Sequence, residues 1–387
     1  MRGFVTRKGK AWYIVTEQAR DEAAGTRRRR WHSGYRTKKE AEAALVSLMS
    51  RLQQGTYVEP NKTSLGAFLE EWLTTIRPTV RDTTWSSYDA EVRKHVIPRL
   101  GDTRLQALTP GDLNGLYADL LKKGRRDGRG GLSFKTVRYI HMIVRRALET
   151  AVRWNLLVRN PASLADPPRF RGRRPEMRTW TAEQAGAFLQ ATEADPLHTV
   201  WVLAATTGMR RGELLGLRWS DVDLKNRRLS IQRSLVAAGY ETSFTEPKTA
   251  RGRRSVVIDS RTASILKEHR RAQLEDRLAL GEAYQDQGLV LCRPDGLPIH
   301  PDALTKAFIK AVKASGLPRI RLHDLRHTYA TLALQAGIHP KVVSERLGHA
   351  SVAFTLDTYS HAVPAMEAQA AEIMASYLWG SQSAAAP

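Results

Sequence analysis

The spacing of apolar residues divides the chain into a strand-rich beginning, a helical middle and a mixed second half. Ala11-Trp12-Tyr13-Ile14-Val15-Thr16 has the β-branched and aromatic content of a strand, and further strands are expected over 27–34 and 3–6. Thr37-Lys38-Lys39-Glu40 has the form of a capping box, so a helix is expected over 41–54. Beyond a short linker, Leu65, Phe68, Trp72 and Ile76 recur at helical spacing, as do Trp85, Tyr88, Val92 and Val96, with Pro98 expected to stop that helix. Thr109-Pro110-Gly111-Asp112 supplies an N-cap, a proline at the first helical position and an acid in the first turn, ahead of Leu113, Leu116 and Leu120. Ser133 opens a long helix striped by Val137, Ile140, Val144, Leu148 and Val152. Such stripes predict core, not a ligand pocket.

From Thr179 onward the pattern mixes both periodicities. Thr181-Ala182-Glu183-Gln184 caps a helix, and the apolar run over 200–206 predicts a buried one. Strands are expected over 228–232 and 254–258, flanking a loop that holds Lys248, with mostly helical segments from about Arg261 to the end. The expected fold is a multidomain α+β chain: a small N-terminal three-stranded sheet plus helix, an α-helical domain, and a mostly α-helical domain with a small antiparallel sheet. The boundaries fall at 1–60, 61–166, a Pro- and Arg-rich linker at 167–178, and 179–387.

Charge adds the class of partner. The chain of 387 residues carries a formal +22, distributed as +7 over 1–60, +9 over 61–171 and +6 over the remainder. A surplus spread this way suits several domains gripping one long polyanion, whereas a single basic tail would point to a tether. Arg27, Arg28, Arg29 and Arg30 beside Trp31, Lys135 and Arg138 on the long helix, and Arg171, Arg173 and Arg174 in the linker are the candidate DNA contacts. A solvated basic surface is the competing reading at each. No run of about 18 apolar residues offers a membrane span, and no signal peptide is expected. The lone Cys292, in Leu289-Val290-Leu291-Cys292, reads as a buried strand thiol in a reducing compartment.

The second half also holds separated pieces that make joint sense as one phosphate-handling site: Thr207-Gly208-Met209-Arg210-Arg211-Gly212-Glu213, Lys248, His323-Asp324-Leu325-Arg326, Leu347-Gly348-His349, and Tyr359. Guanidinium and imidazole groups can bind and neutralise a phosphodiester, and a phenol can attack it. No cysteine or carboxylate cluster and no Walker loop offers a metal or nucleotide route, so no cofactor and no metal are expected. Arg211, off the pattern, is expected to make a salt bridge or touch DNA.

These motifs, with Glu246-Pro247-Lys248-Thr249, Leu322-His323-Asp324-Leu325-Arg326-His327-Thr328 and Asp357-Thr358-Tyr359-Ser360-His361, resemble the tyrosine recombinase (phage-type integrase) family. The resemblance implies an arm-binding domain over 1–60, a helical core-binding domain over 61–166 and a catalytic domain over 179–387. It implies Arg210 and Arg326 as paired phosphate clamps and Lys248 as proton donor to the departing 5′ oxygen. His323 would bind phosphate or help remove the tyrosine proton, and His349 would donate to a non-bridging oxygen. Tyr359 would be the nucleophile, whose full ionisation at pH 7 costs about 4 kcal/mol without help. Glu213 is expected to support His323 or Arg210, with a plain helix-surface glutamate as the alternative. His198, His327 and His361 read as structural or solvent-exposed, and Tyr329 as a buried decoy.

The implied activity is site-specific cutting and rejoining of double-stranded DNA attachment sites, of core and arm types, through a 3′-phosphotyrosyl link and a Holliday junction. A homotetramer, accessory bending or directionality proteins, and the cytoplasm and nucleoid of a bacterial host go with it. The alternatives are an inert DNA-binding architectural or regulatory protein, or a type IB topoisomerase-like enzyme. The segment 363–378, apolar on one side, would dock on a neighbouring subunit or pack on its own domain.

Overall fold

The computed structural model describes residues 3–17, 29–54, 57–125, 127–169, 177–246, 252–359 and 363–379. It divides into two compact units, at residues 1–172 and 173–387.

The first unit opens with a three-stranded antiparallel sheet of β1 (Gly3–Lys8), β2 (Ala11–Glu17) and β3 (Arg29–Tyr35), in that order. Gly9 takes the left-handed conformation that the tight β1–β2 turn requires. The capping box forms as expected, with Thr37 accepting from the Glu40 amide and Glu40 from the Thr37 amide, and it starts α1 (Lys38–Gln53). Ala41 and Leu48 of α1 close over Ile14 of the sheet.

The helical part holds α2 (Leu65–Ile76), α3 (Asp82–Glu91), α4 (Ile97–Leu100), α5 (Pro110–Lys123) and α6 (Phe134–Arg153). Phe68, Trp72, Val92, Leu116, Leu120, Val137, Ile140, Val144 and Leu148 share one core. Pro98 does not stop its helix. A π turn over Val92–Val96 joins α3 to α4, the Ile97 amide bonds to Val92 O, and the proline sits in the first turn beyond, where no donor is needed.

The second unit contains α7 (Ala182–Ala191), α8 (His198–Thr207) and α9 (Arg211–Leu215). A three-stranded antiparallel sheet follows, ordered β4 (Val222–Asp223), β5 (Arg228–Ile231), β8 (Arg254–Val257), with a separate hairpin of β6 (Ser234–Ala238) and β7 (Glu241–Thr245). The strands expected over 228–232 and 254–258 therefore pair with each other, but an unforeseen hairpin lies between them. Five helices and a terminal one complete the unit: α10 (Ser260–Leu280), α11 (Pro301–Ala314), α12 (Leu322–Gln335), α13 (Pro340–Leu347), α14 (Val352–Tyr359) and α15 (Val363–Trp379). An aromatic cluster of Trp180, Phe188, Trp201 and Phe308 centres the core. Cys292 is half-buried on an isolated bridge to Pro298, not in a strand, and its sulfur accepts from Gln273 Nε2. Among the described residues no helix is long and apolar enough to cross a membrane.

Candidate active site

Two helix ends and one helix start converge on a single charged site. α8 and α13 both finish on a left-handed glycine, Gly208 (φ 63°) and Gly348 (φ 66°). A side chain at 208 would be strained by its φ and would also meet Leu347 Cδ2 at 2.6 Å and Tyr329 Cδ1 at 2.7 Å, so the two ends can approach only through glycine.

α12 delivers Arg326 between them. Its guanidinium is 3% exposed and donates through Nη1 to Gly208 O (2.8 Å) and through Nη2 to Leu347 O (2.6 Å). Burial, then repulsion from Arg210, pushes its pKa down to about 9, which leaves it protonated at neutral pH.

Arg210, the N-cap residue of α9, is more exposed. It donates to Gly348 O (3.3 Å) and pairs with Glu213 at 2.8 Å. Glu213 is itself buried, which removes the helix-surface alternative. It accepts from the Arg210 amide (2.9 Å) and from both Nη atoms of Arg254 (3.0 and 2.8 Å). Burial works to raise the Glu213 carboxyl, but hydrogen bonds and charge from Arg254, with Arg210, outweigh it and hold the group below the usual carboxylate range. The support is thus to Arg210, with no hydrogen bond to His323 among the described residues.

Tyr359 ends α14, and its ring is 1% exposed. Burial pushes its phenol up to about 12, with Arg326 opposing. Its hydroxyl hydrogen-bonds His327 Nδ1 at 2.8 Å. His349 lies nearly parallel to the Tyr359 ring, 6.3 Å between centroids, and its Nδ1 is 2.8 Å from Thr355 Oγ1. Burial, then Arg326 and Arg210, pushes His349 down to about 3, so its ring is neutral. His323, exposed on the first turn of α12, meets His327 edge-on at 4.9 Å, and partial desolvation followed by Arg326 lowers its pKa.

The structure therefore gathers Arg210, Glu213, His323, Arg326, His349 and Tyr359. Lys248 lies outside the described residues, as do Arg27, Arg28, Arg171, Arg173 and Arg174. Arg29 and Arg30 fall on β3, with side chains outside the description. Lys135 and Arg138 are exposed on α6. Arg211 bonds Pro301 O, Asp302 and Thr305, the salt bridge expected of it. Tyr329 is half-buried rather than buried, because its hydroxyl takes a hydrogen bond from Arg346 Nε. Two residues were overlooked. His327 makes a hydrogen bond with the phenol of Tyr359; its place directly after Arg326 was the available signal. Arg254 hid among Arg251 and Arg253, and only its position at the head of a strand set it apart.

Three family profiles match along the chain: an arm DNA-binding domain over 4–51, the N-terminal SAM-like domain of phage integrases over 64–121, and the phage integrase family over 178–366. The chain belongs to the phage integrase family. A tyrosine recombinase XerC-like protein of Caldanaerobacter subterraneus subsp. tengcongensis is 28% identical across 95% of this chain and 97% of its own length. Among solved structures, the Tn1549 transposon integrase bound to transposon right end DNA aligns with a TM-score of 0.64 at 22% identity, covering 79% of this chain and 99% of that one. The lambda integrase tetramer bound to a Holliday junction aligns at 0.55 and 18%, covering 89% and 92%. These structural likenesses extend the family's fold over both units.

Proposed function

We propose that this chain is a site-specific DNA recombinase, the integrase of a phage or integrative element, which cuts and rejoins DNA through a 3′-phosphotyrosyl intermediate and a Holliday junction. The observation that carries this is the Tyr359 phenol, buried against Arg326, His327 and His349.

Phosphoryl transfer asks chiefly for positioning and charge stabilisation. Two of the five Arg326 donors are spent on carbonyls, which orients the remainder toward a phosphate at no further entropic cost. Arg210, braced by Glu213, is the second clamp, and neutral His349 donates to a non-bridging oxygen. Attack forms the bond from Tyr359 Oη to phosphorus and breaks the bond from phosphorus to the 5′ oxygen, which takes its proton from Lys248. The ester energy stays in the covalent link, so reversal with a new 5′ hydroxyl rejoins the strand without ATP.

Residues 1–60 are assigned to arm-type sites, 61–166 to core-type sites, 167–178 to a basic linker and 179–387 to catalysis. The lambda tetramer supports a homotetramer as the working assembly. Accessory DNA-bending or directionality proteins, and the cytoplasm and nucleoid of a bacterial host, belong to the same reading.

A suicide substrate, nicked beside the cut site, tests it. Wild-type protein is expected to give an adduct that survives denaturant and forms in EDTA, and Tyr359→Phe to give none. Absence of an adduct on a footprinted core site would show an inert DNA-binding protein instead.

A further inference from the structure

His327 has a contact that the phosphate clamps do not account for. Its Nδ1 lies 2.8 Å from the Tyr359 hydroxyl. In the Nε2-protonated tautomer of His327, Nδ1 presents a lone pair that accepts from the phenol. His323, the residue the motif would nominate for the tyrosine proton, has no hydrogen bond to Tyr359 among the described residues and packs edge-on against the His327 ring instead. Building on the recombinase reading, we propose that His327 is the proton acceptor for Tyr359 during strand cleavage.

The surroundings keep His327 unprotonated before DNA binds. On its own helix it faces His323, Asp324, Arg326 and Arg321; from α14 it faces Tyr359, and His349 lies near. Burial, then His323, outweighs Asp324 and holds the imidazole down to about 4, so the lone pair is vacant at neutral pH. A phosphate drawn in by Arg210 and Arg326 adds negative charge beside the ring and favours its protonated form as the reaction proceeds. The step balances. The Tyr359 Oη–H bond breaks and its proton passes to His327 Nδ1. The oxygen's electron pair forms the bond to phosphorus, and the 5′ oxygen leaves with the pair of the broken ester bond. In the reverse reaction His327 returns the proton to the tyrosine.

The test separates nucleophile activation from leaving-group protonation. A nicked duplex carrying a footprinted core site is made with sulfur in place of the bridging 5′ oxygen, because a thiolate departs without a proton donor. An assisted phenol should react at a rate that is flat between about pH 7 and pH 9. An unassisted one should speed up about tenfold per pH unit as tyrosinate accumulates. His327→Asn keeps an acceptor near the Nδ1 position but cannot take a proton. It should slow cleavage at pH 7 by about 100-fold or more, acquire the rising profile, and retain wild-type DNA affinity. His323→Gln should keep the flat profile. A flat profile in His327→Asn, or its transfer to His323→Gln, would overturn the assignment. Should the His327 variant fail to fold, wild type decides alone: a flat profile supports it, a tenfold-per-unit rise refutes it. A wild-type protein that forms no adduct even with ordinary DNA refutes the recombinase reading itself.

Discussion

Glu213 accepts from four N–H donors of Arg210 and Arg254 and meets almost no water, and its energetics follow from that. Arg254→Met would leave a buried carboxylate with Arg210 as its remaining cation, at a cost on the order of 3 kcal/mol. We expect a lower urea midpoint. Adding Glu213→Leu should restore most of the loss while cleavage stays low, because Arg210 has lost its brace; full recovery of cleavage would show the brace to be dispensable. The histidines make a second prediction. His349 and His327 titrate near about 3 and about 4 when folded, and near about 6.5 when unfolded, so the unfolded chain binds more protons between these values. Stability is therefore full above about pH 6.5 and falls as pH drops through that window. The fall in Tm should be shallower in His349→Gln, and equal slopes would exclude His349 as a source. Arg210, Arg326, His349 and Tyr359 could be grouped from the sequence because each sits in a short motif. Arg254 and His327 could not be, because what distinguishes them is a partner 41 and 32 positions away, which spacing does not encode.

Helix endings, more than helices, build the site. Gly208 and Gly348 turn the chain aside at the two points where their carbonyls accept from Arg326 and Arg210. Gly208→Ala should cost roughly 1–3 kcal/mol through its positive φ alone, with crowding of Leu347 and Tyr329 in addition. Thermal melting should show it, and a neutral substitution would contradict the close approach. The caps at Thr37, Thr109 and Thr181 form where the sequence places them, since side-chain caps are local chemistry. The β6–β7 hairpin escaped notice because Ala237 and Ala238 carry little strand propensity and only the turn at Gly239 marks it. The π turn before Pro98 escaped for a different reason: a proline announces that a donor is missing, not how the preceding turn absorbs the loss.

At the scale of the whole molecule the formal charge of +22 predicts salt-sensitive binding to a polyanion. If Lys135 and Arg138 meet phosphates, replacing both by alanine should lower affinity alike on all sequences and flatten the slope of log affinity against log salt by about 2. An unchanged slope would return them to solvent. Periodicity and linker composition predict three parts; the structure separates two compact units at residue 172, and three family profiles follow one another along the chain.

The pair of carbonyls held by Arg326 bears on which variant can serve as an inactive control. The same side chain that would grip DNA also ties residue 208 to residue 347. Arg326→Ala would remove a crossbeam along with a reagent, and an inactive protein could then mean either loss. Tyr359→Phe deletes one oxygen and leaves that crossbeam standing, which makes it the cleaner way to silence the chemistry while keeping the scaffold.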